Sequence, residues 1–174
     1  MKTAWFLAAI LFAVTVNAYA EIKPEHDPLK PRIPPSKIAA AKALKPPFPS
    51  TPKVIAEGKA LFEGKATCFM CHGPDGKGKG IGAESLTKVG PRNFTNPEFH
   101  KAKNCGEMFW VAANGTKGDF SKKDAPSHPQ GTGMVNYLIG HTSELGLPGT
   151  PTVTKDELWK IVHYERSFSG AKCD

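Results

Sequence analysis

No apolar run in this chain approaches the ~20 residues that a membrane-spanning helix needs. The longest runs from Trp5 to Val16, between a positive residue, Lys2, and the small-x-small triplet Ala18-Tyr19-Ala20. That order is the signature of an export signal. Residues 1–20 are therefore expected to be a signal peptide cleaved after Ala20, and the mature protein to be exported, periplasmic and free of membrane spans. No stretch alternates apolar with polar residues, so no sheet is expected and the class is all-α. Cysteine is scarce, with four in 174 residues. One close pair without a second at similar spacing excludes the usual structural zinc site. Acidic residues are outnumbered, 16 against 23 lysines and arginines, for a net charge of +7. The excess is mostly lysine, scattered from Lys53 to Lys172. It either keeps the protein soluble or steers it toward acidic protein surfaces. Nucleic acid is not an expected partner of an exported protein of this kind.

What is there is organised around Cys68-Phe69-Met70-Cys71-His72. Two thiols three apart, followed at once by histidine, form the attachment signal for a c-type haem. Each thiol adds across one vinyl group of the ring, and the histidine beneath the iron donates a neutral nitrogen as proximal axial ligand. Thioether formation outside the cytoplasm agrees with the export signal. A thioredoxin-type pair would want a surrounding strand–helix–strand pattern, which is missing. The motif occurs once, so one haem is expected and a dihaem peroxidase is excluded.

The chain divides into the leader, a proline-rich arm over 21–50, and a domain over 51–174. The arm holds Pro24, Pro28, Pro31, Pro34, Pro35, Pro46, Pro47 and Pro49, which favour extended backbone. Only Ser36 to Lys45 reads as a short helix. The arm is either a loose leader or a docking surface. Thr51 and Pro52 open the domain's first helix, which carries Val54, Ile55, Leu61 and Phe62 and ends near Gly64. The glycine-rich stretch after His72 reads as a loop around the cofactor edge. Asn96-Pro97 opens a short helix through His100. Asn104 and Glu107 start another, with Met108, Phe109, Val111 and Ala112 on its apolar face and Asn114-Gly115 at its end. Lys117 to Gly133 reads as loop. Thr154 and Glu157 form a capping box for a last helix to about Phe168, with Leu158, Ile161, Val162 and Glu165 at helical spacings.

A second axial ligand is expected on an electron-transfer haem, and methionine is a common choice. Met70 lies inside the attachment loop, and Met108 sits mid-helix where packing is the default. Met134, in Gly131-Thr132-Gly133-Met134, is the candidate, with His128 and His141 as competitors. Cys105 and Cys173 remain. In an oxidising compartment an even remainder favours a disulfide. Free, buried or intermolecular thiols are the alternatives. His26, His100 and His163 read as surface or packing residues.

With these residues in hand, Thr51 to Phe168 resembles the class I monohaem cytochromes c of bacteria. The resemblance implies four to five helices around one covalent haem c held by Cys68 and Cys71, with iron between His72 and Met134. It implies that the first and last helices cross closely, Gly58 and Phe62 against Ile161 and Tyr164. It also implies that the Pro91 carbonyl accepts from the other ring nitrogen of His72, orienting the ring. The stretch from Met134 to Thr154 is longer than in compact members, Val135 stands where proline is frequent, and the arm before Thr51 is additional.

Iron with both axial positions filled has no open site for a substrate. Neutral sulfur, apolar burial and nearby Lys65, Lys77 and Lys79 favour the ferrous state. The expected function is therefore that of a periplasmic carrier of single electrons between redox proteins, with no catalytic residues. The alternatives are a haem subunit held within an exported oxidoreductase complex, and a haem catalyst or sensor with an open sixth position.

Overall fold

The last helix lies across the first helix of the domain with no room for a side chain between them. A Cβ built on Gly58 would overlap the carbonyl of Lys160 and come within 3.0 Å of the Tyr164 Cβ. Glycine at this position is what allows the two backbones to touch. Phe62, one turn on, is fully buried and meets the Tyr164 ring edge-on at 5.3 Å. This is the close crossing implied by the resemblance.

The structure, a computed structural model, describes residues 32–85, 90–116, 134–138 and 152–173. The expected signal peptide, the arm as far as residue 31 with His26, the loop 117–133 with His128, and His141 lie outside the described residues. The described residues form six α-helices: α1 Ile38–Ala43, α2 Pro52–Glu63, α3 Phe69–His72, α4 Pro97–Ala102, α5 Cys105–Asn114 and α6 Lys155–Ser167. Short 3-10 turns span Pro35–Lys37 and Ile81–Ser85. No strand occurs among the described residues.

The helix starts follow local chemistry. Thr51 Oγ1 accepts from the Val54 N–H, and Asn96 Oδ1 from the Glu98 N–H. Asn104 with Glu107, and Thr154 with Glu157, form reciprocal capping boxes at the starts of α5 and α6. Each satisfies two of the backbone donors that a helix start leaves orphaned. α6 packs chiefly on α2 and also on α5, where the Phe109 and Trp159 rings stack at 4.1 Å. The core between them holds Phe62, Leu158, Trp159, Ile161 and Val162.

Two features go beyond the sequence reading. The attachment motif is itself a one-turn helix, α3, and the glycine-rich stretch after it contains the 3-10 turn at Ile81–Ser85. Residues 32–50 of the arm are packed on the domain. α1 lies on α5, where a Cβ on Gly106 would overlap the carbonyl of Ala41. Asn104 Nδ2 donates to the Lys42 carbonyl at 2.9 Å. Farther along, Ser50 Oγ lies 2.6 Å from His163 Nδ1 and accepts from the Cys173 N–H. Cys105 and Cys173 form a disulfide that ties the start of α5 to the segment after α6.

Candidate functional site

α3 begins from an unusual residue. Thr67 has φ 51°, the left-handed region that β-branched side chains avoid. It turns the chain so that Cys68 starts a helical turn, which delivers Cys71 and His72 to one hollow. Cys68 is buried and Cys71 half-buried. Burial raises both thiols above their ordinary value, so neither is ionised at neutral pH.

The loop after the motif folds back onto α3. The Gly78 N–H donates to the His72 carbonyl at 2.8 Å, and the Gly80 N–H to the Cys71 carbonyl at 3.0 Å. Gly78, at φ 76°, lies so close to the Pro91 carbonyl that a Cβ would stand 2.7 Å from it. The Phe94 N–H donates to the Gly76 carbonyl at 2.7 Å. These contacts lay the 90–94 segment against the loop and set which carbonyl reaches His72. It is that of Arg92, at 3.0 Å from Nδ1, and not that of Pro91. The expectation for Pro91 is therefore corrected by one residue: its carbonyl lies beside Gly78, while Pro91 is among the residues lining the hollow.

A carbonyl only accepts, so His72 Nδ1 carries the proton and Nε2 is left as the ring's electron-pair donor. Phe94 stacks on the imidazole at 4.4 Å between centroids. Burial lowers the ring's pKa to about 4, which keeps it neutral.

Met134 comes from the segment after α5. Gly115, at φ 68°, ends that helix, and a Cβ there would stand 2.8 Å from the Asn136 nitrogen. The backbone can therefore return against the helix end. The Tyr137 and Leu138 N–H groups donate to the carbonyls of Ala112 and Ala113, and the Thr116 N–H to the Met134 carbonyl. Carbonyls that a helix C-terminus leaves orphaned thus hold the methionine segment. Tyr137 Oη donates to the Ala66 carbonyl at 2.9 Å, two residues before Cys68.

Cys68, Cys71, His72, Pro91 and Met134 all line one hollow of about 690 Å³. A second hollow of about 530 Å³ adjoins it and shares Arg32, His72, Ala112, Met134 and Glu165 as walls. The donor set suits an iron porphyrin: an oriented neutral imidazole, a thioether sulfur and two thiols on largely apolar walls. Sequence reasoning missed Arg32, Phe94 and Tyr137 as wall residues. It placed Glu165 on the buried stripe without assigning it a role. Glu165 is 4% exposed, and burial pushes its carboxyl up to about 8. The lysines carry less free charge than expected. Lys65 Nζ donates to both Glu157 oxygens, and Lys77 lies 3.5 Å from Asp75. His100 and His163 are packing residues, with His100 Nε2 bonded to the Phe94 carbonyl at 2.7 Å.

Residues 55–169 match the family model described as Cytochrome c. Among solved structures, a chain of the Kuenenia stuttgartiensis reducing HAO-like protein complex is similar, with 23% identity and a TM-score of 0.50. The match covers 70% of this chain and 46% of that one, so this chain spans under half the length of its neighbour. At that identity the likeness shows the fold. No curated protein matches.

Proposed function

The chain belongs to the cytochrome c family, and on that footing we propose that it is an exported, periplasmic, class I monohaem cytochrome carrying single electrons between redox proteins. A cytochrome c domain implies electron transfer through a covalently bound haem. The observation that carries the finer reading is the convergence of Cys68, Cys71, His72 and Met134 on one hollow. Cys68 and Cys71 would hold the ring, with His72 and Met134 as its axial ligands. Haem supplies a reversible one-electron couple when bound.

The chain's residues support that use. The Arg92 carbonyl fixes the imidazole plane and makes Nε2 more basic. Apolar walls exclude water and disfavour the extra charge of the ferric state. The methionine segment is pinned at several backbone points, so little moves when the charge changes. With both axial positions filled, no site is left for a substrate, and the protein is read as a carrier and not an enzyme.

Electrons would leave by the side of Cys71, the more exposed cysteine. Met70 and Ile81 stand 40% and 74% exposed beside it, and Lys79 has no ion pair among the described residues. That exposed apolar pair also favours a second reading, a haem subunit held within a redox complex. The mass of the native protein as isolated separates a free carrier from a subunit.

The decisive experiment is an optical spectrum of purified protein, oxidised and reduced, with and without carbon monoxide, beside Met134→Ala. A weak far-red ferric band, lost in the variant, with no carbon monoxide binding by wild type, is the expected result. A high-spin wild type that binds carbon monoxide readily would replace the carrier with a catalyst or sensor.

A further inference from the structure

Two residues of one short segment hold the His72 ring, one at its edge and one on its face. At the edge, Nδ1 donates to the Arg92 carbonyl at 3.0 Å. On the face, the Phe94 ring lies 4.4 Å away between centroids and is inclined by only 19°. A hydrogen bond tolerates a spread of angles, so the edge bond by itself leaves the imidazole some freedom to tip about that bond. A flat group against the face resists the tipping. Edge bond and face contact are therefore different constraints on one plane. Phe62, also beside His72, is 6.4 Å away and tilted by 52°, so it makes no flat contact.

Phe94 can act in this way only if it is itself fixed. Its N–H donates to the Gly76 carbonyl at 2.7 Å, and its own carbonyl accepts from His100 Nε2 at 2.7 Å. His100 uses its other ring nitrogen on α6: Arg166 Nη1 donates to Nδ1 at 3.1 Å and to the His100 carbonyl at 2.9 Å. The Phe94 ring is buried, with Phe168 nearly parallel to it at 6.4 Å and 15°. Phe168 sits against Gly76, where a Cβ would come within 2.9 Å of three of its ring atoms. Gly76, at φ 70°, thus serves as acceptor for the Phe94 N–H and leaves room for the Phe168 ring. The end of α6 reaches His72 through this chain of contacts.

We propose that Phe94 is a positioning residue for the iron site: its ring, clamped through His100 and Gly76, holds the plane of the His72 imidazole and with it the orbital that carries the exchanged electron. The proposal rests on the electron-carrier reading. In low-spin ferric haem the unpaired electron occupies one of two iron orbitals of π type, and the imidazole plane biases which one. Groups around a ligating histidine set that plane. The spread of unpaired spin over the haem methyl groups reports it.

The test uses the full-length, haem-loaded ferric protein and reads the proton resonances of the haem methyl groups. Phe94→Leu removes the flat face and keeps an apolar side chain. Phe94→Tyr keeps the flat face. Phe99→Leu removes a ring of like burial from the same wall, 6.1 Å from Phe94. The expected result is a changed order or spread of the methyl resonances in F94L, with F94Y and F99L close to wild type. A wild-type pattern in F94L, or an equal change in F94L and F99L, overturns this proposal alone. A wild type without low-spin, thioether-bound haem overturns the carrier reading and the proposal with it. If F94L does not load haem, Phe94→Ile takes its place under the same two outcomes. Wild type supplies one reading that needs no variant. The ferrous protein is diamagnetic, and absence of Overhauser contacts between the Phe94 and His72 rings overturns the clamp.

Discussion

The hydroxyl of Tyr137 donates to the carbonyl of Ala66 at 2.9 Å, joining the segment that carries Met134 to the one that leads into Cys68. The two halves of the candidate iron site come from segments far apart in the sequence, Tyr137 and Ala66 being 71 residues apart. This bond, with the Tyr137 N–H to the Ala112 carbonyl, is where they are fastened together.

Tyr137→Phe keeps the ring's packing and deletes the hydroxyl, leaving the Ala66 carbonyl without this donor. The cost to folding is about 1 kcal/mol. The more telling effect is on methionine ligation. The far-red ferric band of the variant should disappear at lower temperature than that of wild type, while thioether attachment is unchanged. If band and global unfolding shift together by the same amount, the hydroxyl supports the fold in general and not the ligand segment.

Gly58→Ala puts a methyl group where the Lys160 carbonyl lies, and backbone cannot step aside as a flexible side chain can. Overpacking of this sort costs roughly 1–3 kcal/mol. Because α2 and α6 flank the core holding Phe62 and Trp159, the melting temperature should fall by several degrees. Ala60, on the outward side of the same helix, provides the comparison: Ala60→Gly carries only the helix-propensity penalty of about 1 kcal/mol. A G58A protein as stable as wild type would mean that the helices can separate at no cost.

The Cys105–Cys173 disulfide closes a loop of 68 residues around α5 and α6. Its removal in Cys105→Ser with Cys173→Ser should cost about 2–4 kcal/mol, mostly by freeing the unfolded chain. Cys173 lies beside Ser50, so the double variant should also loosen the arm. Amide exchange at residues 41–50 reads that directly. Unchanged exchange there with a lowered melting temperature would separate the cross-link from arm docking.

Much of this arrangement is local and was legible in the sequence. The helix start at Asn104 and Glu107, the capping box of Thr154 and Glu157, the proline at the first turn of α2 and the glycine ending α5 act over a few residues, and the structure has each as read. The crossing of Gly58 and Phe62 with Ile161 and Tyr164 was reached through family resemblance, because a glycine on a helix face does not by itself say what approaches it; that the Lys160 carbonyl lies nearest Gly58 came from the structure. The Pro91 expectation missed by one residue. Which carbonyl faces the ring is set by the Phe94 and Gly78 contacts across the glycine loop, and local sequence does not carry that register. Arg32 was invisible for a stronger reason. Its position depends on α1 packing against α5, more than sixty residues away in the chain, and proline-rich composition suggests extended backbone without saying what it lies on.

Glu165 stands on the buried stripe of α6, where the helical spacing would take an apolar residue, and its carboxyl is pushed up to about 8 by burial. The sign of its effect on stability follows. In the unfolded chain the carboxyl ionises near its ordinary 4.5, while the folded protein keeps the proton until about pH 8. Between those values the folded state binds more protons, so this group's contribution to stability is whole below pH 4.5 and is lost as pH rises to 8. The full loss is on the order of 5 kcal/mol. His100, whose pKa burial lowers, pushes stability the opposite way on the acid side of its ordinary 6.5. The clean measurement is therefore the difference between Glu165→Leu and wild type, in which other groups cancel. That difference should change steadily in favour of the variant from pH 4.5 to 8 and flatten beyond. Parallel stability curves across the window would mean that the carboxyl is solvated in the folded protein and that the hollow beside it is wetter than its walls imply.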